Sequence, residues 1–210
     1  MQKLLVANRG EIAIRAFRAA TELGITTVAV HTREDRDSLH RLKADEAYEI
    51  GEPGHPVRAY LDIDEIVSTA VEVGADAVYP GYGFLSESAE FAAACRDAGV
   101  TFVGPPTEVL ELTGSKTHAR AAAEQAGIAV LAASPLLDDP SQAHEAAAEV
   151  GYPIFVKAAS GGGGRGLRLV RQPEDLEHAV DTAMREADGA FGDPRVFLER
   201  AMVRPRRRWP

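Results

Sequence analysis

The chain has 210 residues, of which 45% are hydrophobic and 26% charged, values typical of a globular protein that buries a sizeable core. Its formal net charge of −9 argues against a nucleic-acid-binding surface. A single cysteine excludes an internal disulfide, no apolar run is long enough to span a membrane, and the N-terminus does not resemble a signal peptide, so a cytoplasmic protein is expected.

Strand and helix patterns alternate through the first half of the chain. Short apolar and β-branched runs predict strands, and runs with apolar residues at helical spacing predict the helices between them. Strands are predicted at residues 3–7, 26–31, 46–50, 76–80 and 100–104, and helices at 11–23, 62–74 and 88–99. Because helices of about ten or more residues connect successive strands, the strands are expected to form one parallel sheet.

The helix predicted at 62–74 begins with a capping box. Asp62 precedes the helix, and its carboxylate is expected to accept a hydrogen bond from an amide of the first turn. Glu65 is expected to complete the box by accepting from the backbone of Asp62. Gly74 then ends the helix.

The pattern changes near Thr113, after which helices and strands no longer alternate regularly. Ser115 and Ser141 are the predicted caps of two helices. Two short strands flank a glycine run, and the short connection between them favours an antiparallel pair. The predicted elements are helices at 107–112, 115–125, 141–150 and 173–185 and strands at 152–158, 166–170 and 195–200. These elements predict a small α+β unit after the parallel sheet.

Four consecutive glycines, Gly161 to Gly164, form an unusual segment in this second half. Glycine adopts backbone conformations that other residues rarely adopt, so consecutive amide groups can approach phosphate oxygens closely. Lys157 ends the preceding strand and Arg165 follows the glycines, which places cationic side chains on both sides. The pattern therefore predicts a phosphate-binding loop, with a hairpin loop that binds nothing as the alternative.

Two common nucleotide-binding signatures do not fit the chain. The P-loop requires a lysine followed by Ser or Thr after the glycines, whereas Leu167 follows Gly166. A dinucleotide-binding fold requires three spaced glycines in the first turn between strand and helix, where only Gly10 occurs. The sequence therefore argues against a P-loop enzyme and against a dehydrogenase.

The segments LLVANRGEIAIR, YPGYGFLSE, FVGP, LTGSK, FVKAASGGGGRG and VFLE occur in this order along the chain. Together they resemble biotin carboxylases, the ATP-grasp enzymes of biotin-dependent carboxylases, and the resemblance extends over nearly the whole chain. Residues 34–66 most resemble the pyruvate carboxylase branch. The resemblance implies an α/β fold with a parallel-sheet, Rossmann-like pre-ATP-grasp domain at 1–112. It also implies a small α+β unit with the lid of an ATP-grasp domain at 113–203 and a divergent arginine-rich tail at 204–210.

The resemblance also implies a reaction and its participants. Biotin carboxylases are ligases that use ATP and bicarbonate to form carboxyphosphate, which carboxylates biotin held on a carrier domain. Mg²⁺ or Mn²⁺ is the metal expected for the full-length enzyme, and family members are oligomeric. Neither nucleic acid nor a membrane is an expected partner.

Matching positions imply the residues that bind ATP. Lys116 and Lys157 are expected to contact its phosphates as mobile positive charges. Glu199 and Met202 are expected to line the adenine pocket, where a carboxylate can accept a hydrogen bond from the adenine amino group. The lid expected to close over the β- and γ-phosphates consists of Gly161, Gly162, Gly163, Gly164, Arg165 and Gly166.

A second set of positions is implied for the acceptor side of the reaction. Tyr82 and Gly83, within YPGYGFLSE, are expected to face the biotin or carboxyphosphate region. No catalytic or metal-binding residue is expected in these 210 residues, because the resemblance places those residues in the second half of the ATP-grasp domain.

The last residues, VRPRRRWP, depart from the family pattern, which continues into that second half. This departure predicts a truncated chain with little carboxylation activity of its own and with apolar residues such as Phe197 and Leu198 left exposed. A tail that binds an anionic partner is the alternative for the arginines. For the whole chain, the alternatives are a non-catalytic module that binds nucleotide or another subunit, and a different ATP-grasp ligase such as a carbamoyl-phosphate or purine-biosynthetic enzyme.

Overall fold

The structure of the protein is a computed structural model that describes residues 1–159 and 167–202. The chain forms two compact units, of which the first spans Met1–Gly114 and the second begins at Ser115. Each unit has a hydrophobic core of its own. Among the described residues, none of the helices has both the length and the apolar character needed to cross a membrane.

The first unit contains the predicted parallel sheet. Its strands are β1 (Lys3–Val6), β2 (Thr26–His31), β3 (Glu46–Glu49), β4 (Ala77–Tyr79) and β5 (Thr101–Phe102). They are ordered β3-β2-β1-β4-β5 across the sheet, and every pair is parallel. Leu5 in the central strand β1 is in register with Val28 of β2 and with Val78 of β4. The fold class predicted for this half is confirmed.

Helices cover both faces of this sheet. They are α1 (Gly10–Glu22), α2 (Leu39–Lys43), α3 (Pro56–Ala59), α4 (Ile63–Glu72), α5 (Ala89–Asp97) and α6 (Thr107–Gly114). Phe17 of α1 packs with Val6 on one face. Ile66 of α4 and Phe91 of α5 pack with Leu5 on the other face. Because β1 is buried on both faces, its residues Leu4, Leu5 and Val6 are all apolar and do not alternate with polar ones.

The predicted capping box of α4 is only half formed. Asp62 accepts a hydrogen bond from the amide of Glu65 at 3.0 Å, as predicted. The carboxylate of Glu65, however, accepts from the amide of Gly51 at 2.8 Å. Gly51 follows β3, where the strand ladder has ended, so its amide needs an acceptor from elsewhere in the chain. This contact between distant residues takes the place of the predicted local one.

The second unit contains a three-stranded antiparallel sheet in the order β7-β6-β8. The strands are β6 (Ile154–Ala158), β7 (Arg168–Val170) and β8 (Val196–Arg200), and the helices are α7 (Lys116–Gln125), α8 (Ala143–Val150) and α9 (Leu176–Phe191). Val150 of α8 and Val180 of α9 pack with Ile154 and Leu198 of the sheet. The antiparallel pairing of β6 with β7 confirms the prediction.

One of the two serine caps predicted in this unit is wrong. Ser115 caps α7 by accepting a hydrogen bond from the amide of His118 at 3.3 Å. Ser141 does not act as a cap, because it lies inside a 3-10 turn, Pro140–Gln142, that precedes α8. Asp139 caps that turn by accepting from the amide of Ser141 at 2.7 Å. A carboxylate two residues earlier therefore takes the role assigned to the serine.

Phe197 and Leu198 are buried, with 3% and 0% of their surface exposed, so the prediction that they are exposed is wrong. The reason is that β8 has backbone partners on both sides. It pairs with β6 along one edge, and the amide of Ser134 donates to the carbonyl of Leu198 at 2.8 Å on the other. The segment before α8 thus covers a strand that would otherwise form the edge of the sheet.

Candidate functional site

Lys116 and Lys157, the two lysines singled out in the sequence, lie close together in the second unit. Lys116 is the first residue of α7, and its ammonium group donates a hydrogen bond to the carbonyl oxygen of Ala158 at 3.2 Å. Ala158 directly follows Lys157 on β6. Burial, followed by the positive charge of Lys157, lowers the pKa of Lys116. Two ammonium groups therefore occupy one partly buried region.

A carboxylate from the neighbouring strand meets the second ammonium group. Lys157 of β6 and Glu199 of β8 form an ion pair. Phe155 is in register with Glu199, so the two charged residues are diagonal neighbours on one face of the sheet. Ile154 and Val156 point to the core on the opposite face. The side chains of Lys157 and Glu199 are 28% and 17% exposed, which makes the pair partly buried.

Of the other residues predicted to bind ATP, Met202 is among the described residues and the lid is not. Met202 is three residues beyond Glu199 and is 57% exposed, as a residue that contacts a ligand can be. The predicted lid, from Gly161 to Gly166 and including Arg165, lies outside the described residues. The strands before and after it are antiparallel neighbours, with Val156 of β6 in register with Arg168 of β7.

In the first unit, the predicted residues Tyr82 and Gly83 follow the carboxyl end of β4. Connections leave β1 and β4 towards opposite sides of the sheet, so a crevice is expected between the carboxyl ends of these two strands. Asn8, just after β1, is buried there and donates to the carbonyl oxygens of Pro80 at 2.7 Å and Tyr82 at 3.0 Å. One side-chain amide thus joins the loops that follow both strands.

Glycines allow the turn after β4 to pass close to α1. Gly81 has a φ of +68°, and a Cβ atom at this position would lie 2.4 Å from the side chain of Ile12. Gly83 has a φ of +73°, which also favours glycine. Between them, the hydroxyl of Tyr82 donates a hydrogen bond to the carboxylate of Glu11, and this bond raises the pKa of Tyr82. The ring itself remains 62% exposed, so it can contact a ligand.

Phe84 continues this turn with a φ of +43°, a left-handed conformation that is unfavourable for a residue other than glycine. Its ring stacks on Tyr60 with 5.1 Å between the ring centroids. The hydroxyl of Tyr60 donates to Asp35 at 2.9 Å, and the guanidinium of Arg9 donates to the same carboxylate at 3.2 Å. Burial disfavours the ionised form of Asp35, but the hydrogen bonds from Tyr60 and Arg9 hold its pKa below the usual value.

We call these four residues, Arg9, Asp35, Tyr60 and Phe84, the first-unit brace. None of the four was identified from the sequence, and neither were Asn8 and Glu11. The residue type at position 84 does not indicate a left-handed backbone. The hydrogen bond from Tyr60 to Asp35 joins residues that are 25 positions apart in the sequence. Asn8 offered the one available signal, since a polar residue directly after a buried strand lies at the sheet edge where ligands bind.

Two family models match the chain. The model described as biotin carboxylase, N-terminal domain, matches residues 1–110, just over half of the chain. The model described as carbamoyl-phosphate synthase L chain, ATP binding domain, matches residues 115–208. The two matches correspond to successive parts of the sequence and do not overlap.

Pyruvate carboxylases are among the proteins to which the chain is similar. The chain is 53% identical over 210 residues to the mitochondrial pyruvate carboxylase of Mus musculus. It is 50% identical over 210 residues to the pyruvate carboxylase of Bacillus subtilis strain 168. Both alignments cover 98% of this chain but 18% of the relative, so the chain spans less than a fifth of the length of these relatives.

Solved structures give the same result for the fold. The biotin carboxylase domain of Hydrogenobacter thermophilus 2-oxoglutarate carboxylase, solved with MgADP, ADP and bicarbonate, matches with a TM-score of 0.90 and 44% identity. That match covers 96% of this chain and 44% of the other. Rhizobium etli pyruvate carboxylase matches with a TM-score of 0.85 and 48% identity over 96% of this chain and 18% of the other. By sequence and by fold, the chain belongs to the biotin carboxylase family.

Proposed function

We propose that the chain provides part of the biotin carboxylase component of an enzyme of the pyruvate carboxylase type. In the proposed reaction, an oxygen of bicarbonate attacks the γ-phosphorus of ATP, ADP leaves, and carboxyphosphate forms. A ureido nitrogen of biotin then takes up the carboxyl group, with release of inorganic phosphate and one proton. The reaction is proposed for an enzyme with the extent of the relatives, of which this chain spans 18%, and not for these 210 residues alone.

The single observation that supports this proposal most is the grouping of Lys116, Lys157 and Glu199. Two ammonium groups and one carboxylate give the group a net positive charge in a partly buried region. Phosphate oxygens are the ligands that such a group favours, because they compensate two like charges held close together. Charge stabilisation of this kind is the main contribution that a protein makes to phosphoryl transfer.

The remaining ATP contacts are proposed around this group. Glu199 accepts a hydrogen bond from the adenine amino group, and Met202 contacts the adenine ring. The backbone amides of Gly161–Gly164 and Gly166 close over the β- and γ-phosphates, with Arg165 as an additional positive charge. We place these contacts in an ATP-grasp unit at residues 113–203, with 204–210 as a divergent tail.

The acceptor side of the reaction is proposed at Tyr82 and Gly83, in a pre-ATP-grasp domain at residues 1–112. The exposed ring of Tyr82, whose hydroxyl is bonded to Glu11, offers a flat surface on which the biotin ring system can pack. Biotin is proposed to arrive on a carrier domain, as expected for a biotin-dependent carboxylase. Its carboxyphosphate partner would form at the second unit.

Mg²⁺ or Mn²⁺ is the metal proposed for the complete enzyme. Within 1–159 and 167–202, however, no group of three or more His, Cys, Asp or Glu side chains could hold a metal ion. The described residues therefore do not fit a metal site, and no step assigned to them passes through a metal.

ATP binding to the 210-residue chain, measured by calorimetry, tests the proposed nucleotide site. Lys116→Gln and Lys157→Gln each remove one positive charge at close range to the phosphates, and each is expected to weaken ATP binding roughly tenfold or more. Lys43→Gln makes the same change on α2 of the first unit and is expected to leave ATP binding unaltered. Equal weakening by all three variants, or by none, would contradict the assignment.

A second measurement concerns catalysis by these residues alone. The chain covers 44% of the biotin carboxylase domain of the Hydrogenobacter thermophilus enzyme. Because ATP-grasp catalysis requires groups from the remainder of such a domain, the 210 residues alone are expected to show no ATP hydrolysis that depends on biotin. Turnover similar to that of a complete biotin carboxylase would contradict this expectation.

A different ATP-grasp ligase is the main alternative, because the family model that matches residues 115–208 is named for carbamoyl-phosphate synthase. The match of residues 1–110 to the biotin carboxylase N-terminal domain favours the carboxylase. Biotin-dependent and ammonia-dependent ATP hydrolysis, measured with the chain extended to the length of its relatives, would separate the two. A non-catalytic nucleotide-binding module would show neither.

The compartment and assembly of the enzyme are also proposals. We propose the cytoplasm, because the one cysteine of the chain, Cys95, is buried and free. Relatives include mitochondrial proteins as well as bacterial ones, so a mitochondrial enzyme is the alternative. An oligomer is proposed from the resemblance to the family.

A further inference from the structure

One of the two ammonium groups in the proposed nucleotide site already has a carboxylate partner. Glu199 pairs with Lys157 across two adjacent strands, and neither side chain is more than 28% exposed. Both strands are paired over five residues each, so the two side chains are attached to a rigid part of the sheet. Any phosphate that binds Lys157 must therefore compete with Glu199.

We propose that Glu199 is a specificity-determining residue that selects against polyphosphates without a base, such as inorganic triphosphate and pyrophosphate. This inference rests on the proposed nucleotide site. A free polyphosphate repels the carboxylate and offers nothing in return, because an ionised carboxylate can only accept hydrogen bonds. The carboxylate of Glu199 thereby offsets part of the attraction between Lys157 and such a ligand. The ammonium group of Lys116 also has a partner in the free protein, the backbone carbonyl of Ala158.

A nucleotide whose base carries an amino group differs in this respect. Its amino group donates a hydrogen bond to the carboxylate of Glu199. The amino group thereby takes the place of Lys157, which is the partner of this carboxylate in the free protein. Lys157 can then turn towards the phosphates without leaving a partly buried carboxylate unpaired, a change that is otherwise costly. Recognition of the base and binding of the phosphates are thus coupled through one ion pair. Inosine triphosphate, which presents a carbonyl oxygen in place of the amino group, lacks this coupling.

The test compares three ligands, ATP, inosine triphosphate and inorganic triphosphate, by calorimetry on the 210-residue chain. The variant Glu199→Gln removes the charge but keeps the size of the side chain. It is expected to bind inorganic triphosphate roughly tenfold more tightly than the unmodified chain, because one negative charge near the phosphates is lost. The preference for ATP over inorganic triphosphate and over inosine triphosphate is expected to fall by a similar factor.

Glu124→Gln is the matched control. Glu124 forms an ion pair with Arg120 at 2.8 Å on α7, so this variant also replaces a paired glutamate in the second unit. It is expected to leave the affinities for all three ligands unchanged. An increase in triphosphate binding that is as large in this control as in Glu199→Gln would show a general charge effect and overturn the inference.

Other outcomes separate this inference from the proposed function. If the unmodified chain binds ATP but Glu199→Gln leaves triphosphate affinity unchanged, the inference fails and the nucleotide site stands. Failure of both chains to bind triphosphate also overturns the inference, since there is then no phosphate binding for Glu199 to oppose. If the unmodified chain fails to bind ATP, the proposed nucleotide site is contradicted. In that case, tighter binding of triphosphate by Glu199→Gln than by the unmodified chain would still show that the carboxylate of Glu199 opposes phosphate binding.

Discussion

The two candidate regions of the molecule hold their polar side chains in different ways. In the first unit, the turn around Tyr82 is fixed by Asn8 and by the first-unit brace, in which donors and acceptors satisfy one another. In the second unit, the ammonium groups of Lys116 and Lys157 lie near each other, and the carboxylate of Glu199 pairs with Lys157. The donors and acceptors of the first region therefore satisfy one another, whereas the group in the second region holds two positive charges and one negative charge.

Loss of Asp35 is expected to have the largest effect. Asp35→Ala removes the acceptor of both Tyr60 and Arg9, which leaves a buried hydroxyl and a guanidinium without their partner. The free energy of unfolding of the first unit is expected to fall by about 2–4 kcal/mol. Urea unfolding followed by circular dichroism measures this change. Asp37→Ala, at an exposed position, is expected to change it by less than about 0.5 kcal/mol, and equal losses in the two variants would contradict the brace.

Phe84 allows the cost of backbone strain to be separated from the gain from ring stacking. Phe84→Ala and Phe84→Gly both remove the stack on Tyr60, but only glycine adopts a φ of +43° without strain. The glycine variant is therefore expected to be more stable than the alanine variant by about 1 kcal/mol in urea unfolding.

The opposite order is expected in a helix. Ala19 is an exposed residue within α1, and Ala19→Gly is expected to destabilise the first unit by about 1 kcal/mol. If alanine were also the more stable residue at position 84, strain at this turn would be excluded.

The smallest expected effect concerns the like charges of the second unit. Burial and the charge of Lys157 both lower the pKa of Lys116, so Lys157→Gln removes the second cause and raises that pKa. The pKa of Lys116 is expected to stay below its usual value in this variant, because burial, the larger cause, remains. Titration of the Lys116 side chain by NMR measures it. Lys43→Gln serves as the control, and a Lys116 pKa that falls or stays constant in Lys157→Gln would show that the two charges do not interact.

The parallel sheet was predictable because its signals are local. Strands β1, β2, β4 and β5 lie in short apolar or β-branched runs, whereas β3 has the sequence EAYE. The longer helices between the strands repeat their apolar residues at helical spacing. The two short helices α2 and α3 were not predicted, since segments of five and four residues contain hardly more than one turn. Local patterns therefore predicted the sheet but not these connections.

The site was only partly predictable, for a related reason. Lys157 and Glu199 were named separately, but their ion pair depends on the register between β6 and β8. These strands lie about 40 residues apart in the sequence, so no local pattern predicts that register. Ser141 and Glu65 were both assigned to local caps. The carboxylate of Asp139 takes the capping role predicted for Ser141, and the carboxylate of Glu65 accepts from the amide of Gly51. Sequence patterns thus identify charged residues more readily than the contacts between them.

Asn8 extends the sheet beyond the last backbone pair of β1 and β4. The final ladder bond runs from the amide of Ala7 to the carbonyl of Tyr79, and the carboxamide of Asn8 then donates to the next carbonyl, that of Pro80, and to that of Tyr82. Pro80 has no backbone N–H group and cannot donate to a further ladder bond. The side chain of Asn8 supplies hydrogen bonds to the carbonyls beyond that point. The ring of Tyr82 is consequently placed by the geometry of the sheet, and its position would change with any substitution that shortens this amide.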